Sequence, residues 1–420
     1  MKKAVIVGGQ RIPFTKSYTN YANVTNQQML IACIEALIDK YKLEGKTLGE
    51  VACGALMKAP SDFSLTRESV LGTRLDPHTP AYDVQRACGT SLDTTIQICL
   101  RIIHGQIDVG IAGGSDTNSD IPLVLQKSLR NKLFALRKAK RFAEKLKIIF
   151  GIKIKELSPV FPAVVEPRTG LSMGQHTERM VQEWNISREE QDKLAYESHM
   201  KASKAYDEGF YKKLVVPFQG IERDTIIRSN TTLEALAALK PVFDRSEKGT
   251  LTAGNSTLLT DGAAAVLIAS EEYAQSQGWP VLAHFVDAQT AAVDYVNGEG
   301  LLMAPTRAIP VLLQRNNLTL QDFDIYEIHE AFSGQVLCTL KAWEDEAYCK
   351  SIGLEKALGS IDRTKLNIKG GSVAIGHPFA ATGARIVAQT AELLAARGGG
   401  RALISICTAG GMGVAAILEA

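Results

Sequence analysis

Apolar residues along the chain follow two alternating rhythms. Ala4-Val5-Ile6-Val7-Gly8-Gly9 is an uninterrupted apolar run that reads as a buried strand, and the polar loop Arg11-Ile12-Pro13-Phe14 follows it. From about Asn26 the apolar positions Met29, Leu30, Cys33, Ile34 and Leu37 recur at three- and four-residue spacing, which predicts a helix. Glu50 to Leu56 reads as a short strand, and Thr66 to Val70 opens another helix. The small residues Ala87-Cys88-Gly89-Thr90-Ser91 then turn a polar loop into a helix running to about Ile103, and the strand Val109-Gly110-Ile111-Ala112 ends in Gly113-Gly114-Ser115. Strands alternating with helices predict an α/β fold with a largely parallel sheet covered on both faces.

The rhythm breaks after Asp116. Leu129, Leu133, Leu136, Ala143, Leu146 and Phe150 form an apolar stripe in a basic amphipathic helix over about 126–155, and Pro159-Val160-Phe161-Pro162 reads as a rigid linker. Met173 to Arg179 begins a helical region, and Ser187-Arg188-Glu189-Glu190 has the Ser-x-x-Glu pattern of a capping box, placing a helix start near Arg188. Residues 119–245 therefore read as a mostly helical insertion. The earlier rhythm resumes with the strand Asp261–Ile268, a helix around Arg307–Leu313 and the strand-like run Asp324–Ile328. The helix Thr382 to Arg397 and the strand Ala402–Cys407, ending in Ala409-Gly410-Gly411, then repeat the pattern seen at 90–114. An internal duplication explains the repeat.

With 420 residues, 45% of them hydrophobic, the chain can bury one large core or two to three domains. Its seven cysteines are scattered without paired metal spacing, so neither a disulfide framework nor a zinc site is expected. No apolar run reaches the roughly 18 residues of a spanning helix, and the opening Met1-Lys2-Lys3 leaves no room for a signal peptide, so a cytoplasmic protein is expected. Charge changes the picture more. Between Gln126 and Lys155 lie eleven lysines and arginines against Glu144 alone, a local charge of +10 in a chain of net charge +2. Such a helix suits an anionic membrane surface, an acidic partner or simple solvation over its own protein. Nucleic acid is disfavoured, because nothing aromatic or repetitive accompanies the basic residues.

Candidate chemistry gathers on small-residue loops. Cys88 precedes a helix whose dipole and free N–H groups favour thiolate, so it reads as a nucleophile or else as a buried structural cysteine. His377, in Gly376-His377-Pro378, lies in the loop before the helix that mirrors the Cys88 helix, where an imidazole could take the thiol proton. Cys407 ends a strand before Ala409-Gly410-Gly411, whose N–H groups could stabilise an oxyanion. His329 follows the Ile325–Ile328 strand and could face the same site, or pair with its neighbour Glu330.

Ala87-Cys88-Gly89-Thr90-Ser91, His329-Glu330-Ala331-Phe332, Gly376-His377-Pro378 and Cys407-Thr408-Ala409-Gly410-Gly411-Met412-Gly413 occur in the order and spacing of the thiolase family, which the chain resembles over nearly its whole length. His329, where most thiolases have Asn, and the basic insertion resemble the β-subunit branch found in the fatty-acid oxidation trifunctional complex and its bacterial counterparts. The resemblance implies an α/β fold of duplicated βαβαβαββ halves in a five-layered α/β/α/β/α core. It implies an N-terminal half at 1–118 plus 246–272, a loop domain at 119–245 that grips coenzyme A, and a C-terminal half at 273–420.

The implied activity is thiolytic cleavage of 3-oxoacyl-CoA by CoA to acetyl-CoA and a shortened acyl-CoA in fatty-acid β-oxidation. A short-chain acetoacetyl-CoA thiolase is the alternative, with a β-ketoacyl synthase or a non-catalytic lipid-binding or scaffold relative behind it. In the implied mechanism His377 activates Cys88, Cys407 protonates the leaving enolate, and His329 with His377 holds the thioester oxygen. The amides of Cys88 and Ala409 form the oxyanion hole, and Thr257 and Ser172 contact CoA. No metal and no permanently bound cofactor are implied, CoA being a co-substrate. A homodimer or larger assembly is implied, and the basic helix over 126–155 points to an anionic membrane or to an α subunit carrying hydratase and dehydrogenase activities as a further partner.

Overall fold

The computed structural model describes residues 2–162 and 165–420. Among these residues there are ten strands: β1 (Ala4–Arg11), β2 (Thr15–Lys16), β3 (Glu50–Cys53), β4 (Ala81–Asp83), β5 (Val109–Asp116), β6 (Thr260–Ser270), β7 (Ala283–Ala292), β8 (Ile325–Ile328), β9 (Arg401–Thr408) and β10 (Met412–Glu419). Their order is β4-β3-β5-β6-β1 in the first half and β7-β10-β9-β8 in the second, joined where Val5 and Ile6 of β1 meet His284 and Ala283 of β7.

Period-two alternation assigns the layers. Ala4 and Ile6 of β1 and Ala264, Val266 and Ile268 of β6 point into one core, shared with Ile404 and Ile406 of β9 and Val414 and Ala416 of β10. Between these two sheet faces lie the helices Thr90–Ile103 and Thr382–Arg397. The opposite residues of the first half, Val5 and Val7, pack with the helix Asn26–Tyr41. Those of the second, Ala415 and Ile417, pack with the helices Pro305–Arg315 and Ser333–Glu344. The result is five layers, α/β/α/β/α.

The sheet is not largely parallel. Only β3–β4, β3–β5 and β8–β9 run parallel, while six pairings are antiparallel. The turn Ala409–Gly411 is too short for a crossover, which forces β9 and β10 antiparallel, and β6 inserts antiparallel to both β5 and β1 after the long excursion through 119–245. That excursion is tied to β1 by Arg11, whose guanidinium donates two hydrogen bonds to Asp224 at 2.6 and 2.7 Å in the interior.

The helix Arg188–Asp207 starts where the capping box predicts, Ser187 accepting from the Glu190 N–H. The basic segment differs from its prediction. It forms two helices, Lys127–Lys138 and Phe142–Phe150, broken at 139–141, where Ala139 is extended. Leu129 is buried, but Phe134, Phe142 and Phe150 are exposed, so little of the apolar stripe is covered by this chain.

Candidate active site

Four loop segments at the sheet ends assemble the site. Cys88 lies in the short 3-10 turn Ala87–Gly89, two residues before its helix begins at Thr90. Ala87 takes the left-handed conformation, φ 44°, and Thr90 braces the turn by accepting from the Arg86 N–H and donating to the Ala87 carbonyl. Gly383 lets the second central helix approach: a Cβ there would stand 2.2 Å from the Leu92 nitrogen. Gly376, at φ 114°, turns the chain so that the His377 N–H donates to Thr260 Oγ1 at 2.8 Å.

Cys88 Sγ and a ring nitrogen from each of His329 and His377 lie within 4.8 Å of one another. The two imidazoles are 4.1 Å apart, centre to centre. Behind them, His329 Nδ1 is 2.8 Å from Ser372 Oγ and His377 Nδ1 is 2.6 Å from Thr382 Oγ1, leaving each Nε2 without a partner. Glu330 does not pair with His329. Its carboxylate accepts from Ser198 Oγ, Asn367 Nδ2 and the Val373 N–H instead, locking the His329 loop to the segment before His377.

Burial, not the helix dipole, dominates the resting charge state. It pushes the Cys88 thiol up to about 12, against the opposing pull of the N–H groups of Ala409 and of Cys88 itself. Burial, helped by the charge of Arg385, drives the His377 imidazole down to about 3, and His329 is lowered by burial, by His377 and by Arg385. The thiol of Cys407, fully buried, is likewise raised, first by burial and then by Cys88. The free site therefore holds neutral thiols beside neutral imidazoles, which reverses the expectation of a resting thiolate.

Cys88, His377, Cys407, the Ala409 turn, Thr257 and Ser172 all line one cavity of about 330 Å³, whose remaining walls include Met173, Phe243, Leu302, Phe332 and Phe379. Ser172 caps the helix Met173–Glu183 by accepting from the Gln175 N–H, and Thr257 Oγ1 donates to the Ser372 carbonyl at 2.9 Å. Sequence reasoning missed Glu166, whose carboxylate accepts from the Gly410 N–H at 2.7 Å and so holds the turn that carries the Ala409 amide. It also missed Thr382, Ser372 and Arg385 behind the histidines; an arginine in the first turns of the helix Thr382–Arg397, four residues before the run Ile386-Val387-Ala388 ends in Gln389, was the available signal. A Cys-His-His set can take a zinc ion. Placed on an apolar cavity beside the backbone N–H groups of Cys88 and Ala409, it equally suits a nucleophile with a proton acceptor and an oxyanion site.

Residues 4–272 match the model of the thiolase N-terminal domain and residues 279–420 that of the thiolase C-terminal domain. A 3-ketoacyl-CoA thiolase of Shewanella woodyi is 41% identical over 424 residues, spanning 99% of this chain and 97% of its own. Human mitochondrial 3-ketoacyl-CoA thiolase, solved also in complex with CoA, superposes with a TM-score of 0.83 at 28% identity, covering all of this chain and 99% of that one. The Bacillus anthracis acetyl-CoA acetyltransferase superposes at 0.81, also at 28% identity and with the same coverage. The duplicated five-layered fold, the paired domain models and the full-length relatives lead to one conclusion: the chain belongs to the thiolase family.

Proposed function

We propose that this protein cleaves 3-oxoacyl-CoA with a second CoA, yielding acetyl-CoA and an acyl-CoA two carbons shorter. The observation that carries the proposal is the convergence of Cys88, His329 and His377 within 4.8 Å beside an apolar cavity. His377 Nε2 takes the Cys88 proton as the sulfur attacks the 3-oxo carbon, and the Cys88 and Ala409 amides receive the resulting oxyanion. The bond between C2 and C3 then breaks and leaves the acyl group on Cys88. The electron pair goes to the acetyl-CoA enolate, held at its thioester oxygen by His329 and His377 and protonated at carbon by Cys407. In the second half, Cys407 takes the proton of the incoming CoA thiol, whose sulfur displaces Cys88, and the departing Cys88 sulfur recovers its proton from His377. CoA enters and leaves as a co-substrate, with Ser172 and Thr257 at its pantetheine end and the 119–245 region around it.

The apolar walls Met173, Phe243, Leu302 and Phe332 favour the β-oxidation reading over a short-chain one, and the 41% identity to a 3-ketoacyl-CoA thiolase supports it. Loss of the 3-oxo thioester, followed with acetoacetyl-CoA beside 3-oxohexadecanoyl-CoA, tests this. The long substrate should be cleaved faster by kcat/KM; preference for acetoacetyl-CoA would move the protein to short-chain metabolism, and cleavage of neither would remove the proposal.

The basic segment is assigned to an anionic membrane surface, approached from the cytosol, beside an α subunit carrying the preceding hydratase and dehydrogenase steps; the catalytic chain itself is at least a dimer. Phe134, Phe142 and Phe150 stand exposed among lysines and arginines, and no helix among the described residues is long and apolar enough to cross a bilayer. Each basic residue at an anionic surface contributes about 1 kcal/mol and is screened over about 8–10 Å at ordinary salt. Flotation should recover the protein with anionic vesicles at low salt and release most of it at about 0.5 M salt, where the screening length is shorter. Equal recovery with neutral vesicles would contradict the assignment.

A further inference from the structure

The two imidazoles at the site are near neighbours with different backing. His377 Nδ1 meets only Thr382 Oγ1, at 2.6 Å. His329 Nδ1 meets Ser372 Oγ at 2.8 Å, and that same oxygen also accepts a hydrogen bond from Arg385 Nη2 at 2.7 Å. Ser372 and Arg385 are both buried, and these are the two side-chain contacts of the Ser372 hydroxyl among the described residues.

A guanidinium only donates, and a hydroxyl has a single proton. With Arg385 filling an acceptor position of Ser372 Oγ, the hydroxyl proton finds its acceptor in His329 Nδ1. The opposite arrangement, Nδ1–H donating to the hydroxyl, would leave both the serine proton and the Nε2 lone pair unpaired, where the Nε2–H ring leaves one buried group unpaired; the difference costs about 1–3 kcal/mol. The ring proton of His329 then sits on Nε2, the atom with no protein partner. Thr382 Oγ1 has no such second donor in contact, so its hydrogen bond to His377 Nδ1 can run in either direction and does not commit that ring to one tautomer.

We infer that Ser372, oriented by Arg385, is a positioning residue that commits His329 to the Nε2–H tautomer, making it the hydrogen-bond donor of the site while His377 remains its base. The charge of Arg385 acts in the same direction, since a nearby cation disfavours imidazolium at His329. Glu327, buried and hydrogen-bonded by Gln389 at 3.0 and 3.2 Å, partly offsets the desolvation of that arginine, while burial raises its own carboxyl to about 7.

The inference rests on the thiolase reading for the use of the donor, but its first test does not need turnover. In protein labelled with ¹⁵N-histidine, the imidazole signal missing from the His329→Ala spectrum should show an Nε2–H ring in the parent protein and a shift towards Nδ1–H in Ser372→Ala. A parent ring already protonated at Nδ1 would overturn the inference, whether or not the protein proves to be a thiolase.

The second test is kinetic. Ser372→Ala should lower kcat about 10- to 100-fold with little change in KM, because the donor acts on charge that develops in the transition state. Ser372→Thr, which keeps the hydroxyl, should recover most of the rate. In a His329→Ala background, Ser372→Ala should add nothing, as required of a residue that acts through His329. Multiplied losses, an unchanged kcat or an effect on KM alone would each overturn it, whereas failure of the thiolase reading would appear separately as no turnover in the parent protein.

Discussion

Cys88→Ala should abolish thiolysis, lowering kcat by at least about 10⁴-fold, while CoA still binds and the fold is kept. The size of the loss follows from covalency. Without the sulfur no acyl-enzyme forms, and the amides of Cys88 and Ala409, with the two imidazoles, have no tetrahedral adduct to stabilise. Folding should be spared because Cys88 keeps part of its surface in the cavity and alanine fits the tight turn Ala87–Gly89. The measurement is initial velocity with 3-oxohexadecanoyl-CoA alongside calorimetric CoA binding. A variant that binds CoA and turns over at the parental rate would exclude Cys88 as the nucleophile and the covalent mechanism with it.

Much of this was legible because it is local. Helical spacing located Asn26–Tyr41, the Ser-x-x-Glu pattern located Arg188–Asp207, and the recurrence of helix, glycine, strand and Gly-Gly revealed the duplication. Strand direction was not legible, since an apolar run reads the same whether its neighbour is parallel or antiparallel, and β6 finds both neighbours across more than a hundred residues of insertion. The break in the basic segment was hidden for another reason. Ala139-Lys140-Arg141 contains neither glycine nor proline, so the periodicity runs straight through the point where the helix stops.

The site divides in the same way. Cys88, His377 and Cys407 each announce themselves by the small residues around them, which leave a reactive group uncovered. Glu166, Thr382 and Arg385 carry no local mark, because what they do depends on a partner elsewhere: the Gly410 N–H, the His377 ring and the Ser372 hydroxyl. The protonation state of Cys88 shows the limit most clearly. The helix start that favours thiolate is visible in the sequence, whereas the desolvation that outweighs it is a property of the assembled core.

That reversal gives the largest pH effect. With the thiol at about 12 and the His377 imidazole at about 3, neither group titrates between pH 5 and 9 in the free protein. Thiolate is then a small fraction that grows tenfold with each pH unit, so alkylation of Cys88 by iodoacetamide should rise with a slope near one from pH 6 to 9, without a plateau. A thiolate–imidazolium pair would give the opposite result, a flat profile across neutrality. The proton must therefore leave sulfur as the bond to carbon forms, and His377 is needed at that moment to receive it. Because its imidazole is lowered, the acceptor stays available on the acid side, and kcat/KM should show no loss from His377 protonation down to about pH 5. His377→Ala removes the acceptor and one holder of the thioester oxygen together, so kcat should fall by about 10³- to 10⁴-fold. A flat alkylation profile with His377 intact would mean that the ion pair forms before substrate arrives, and that charge separation, not concerted transfer, starts the reaction.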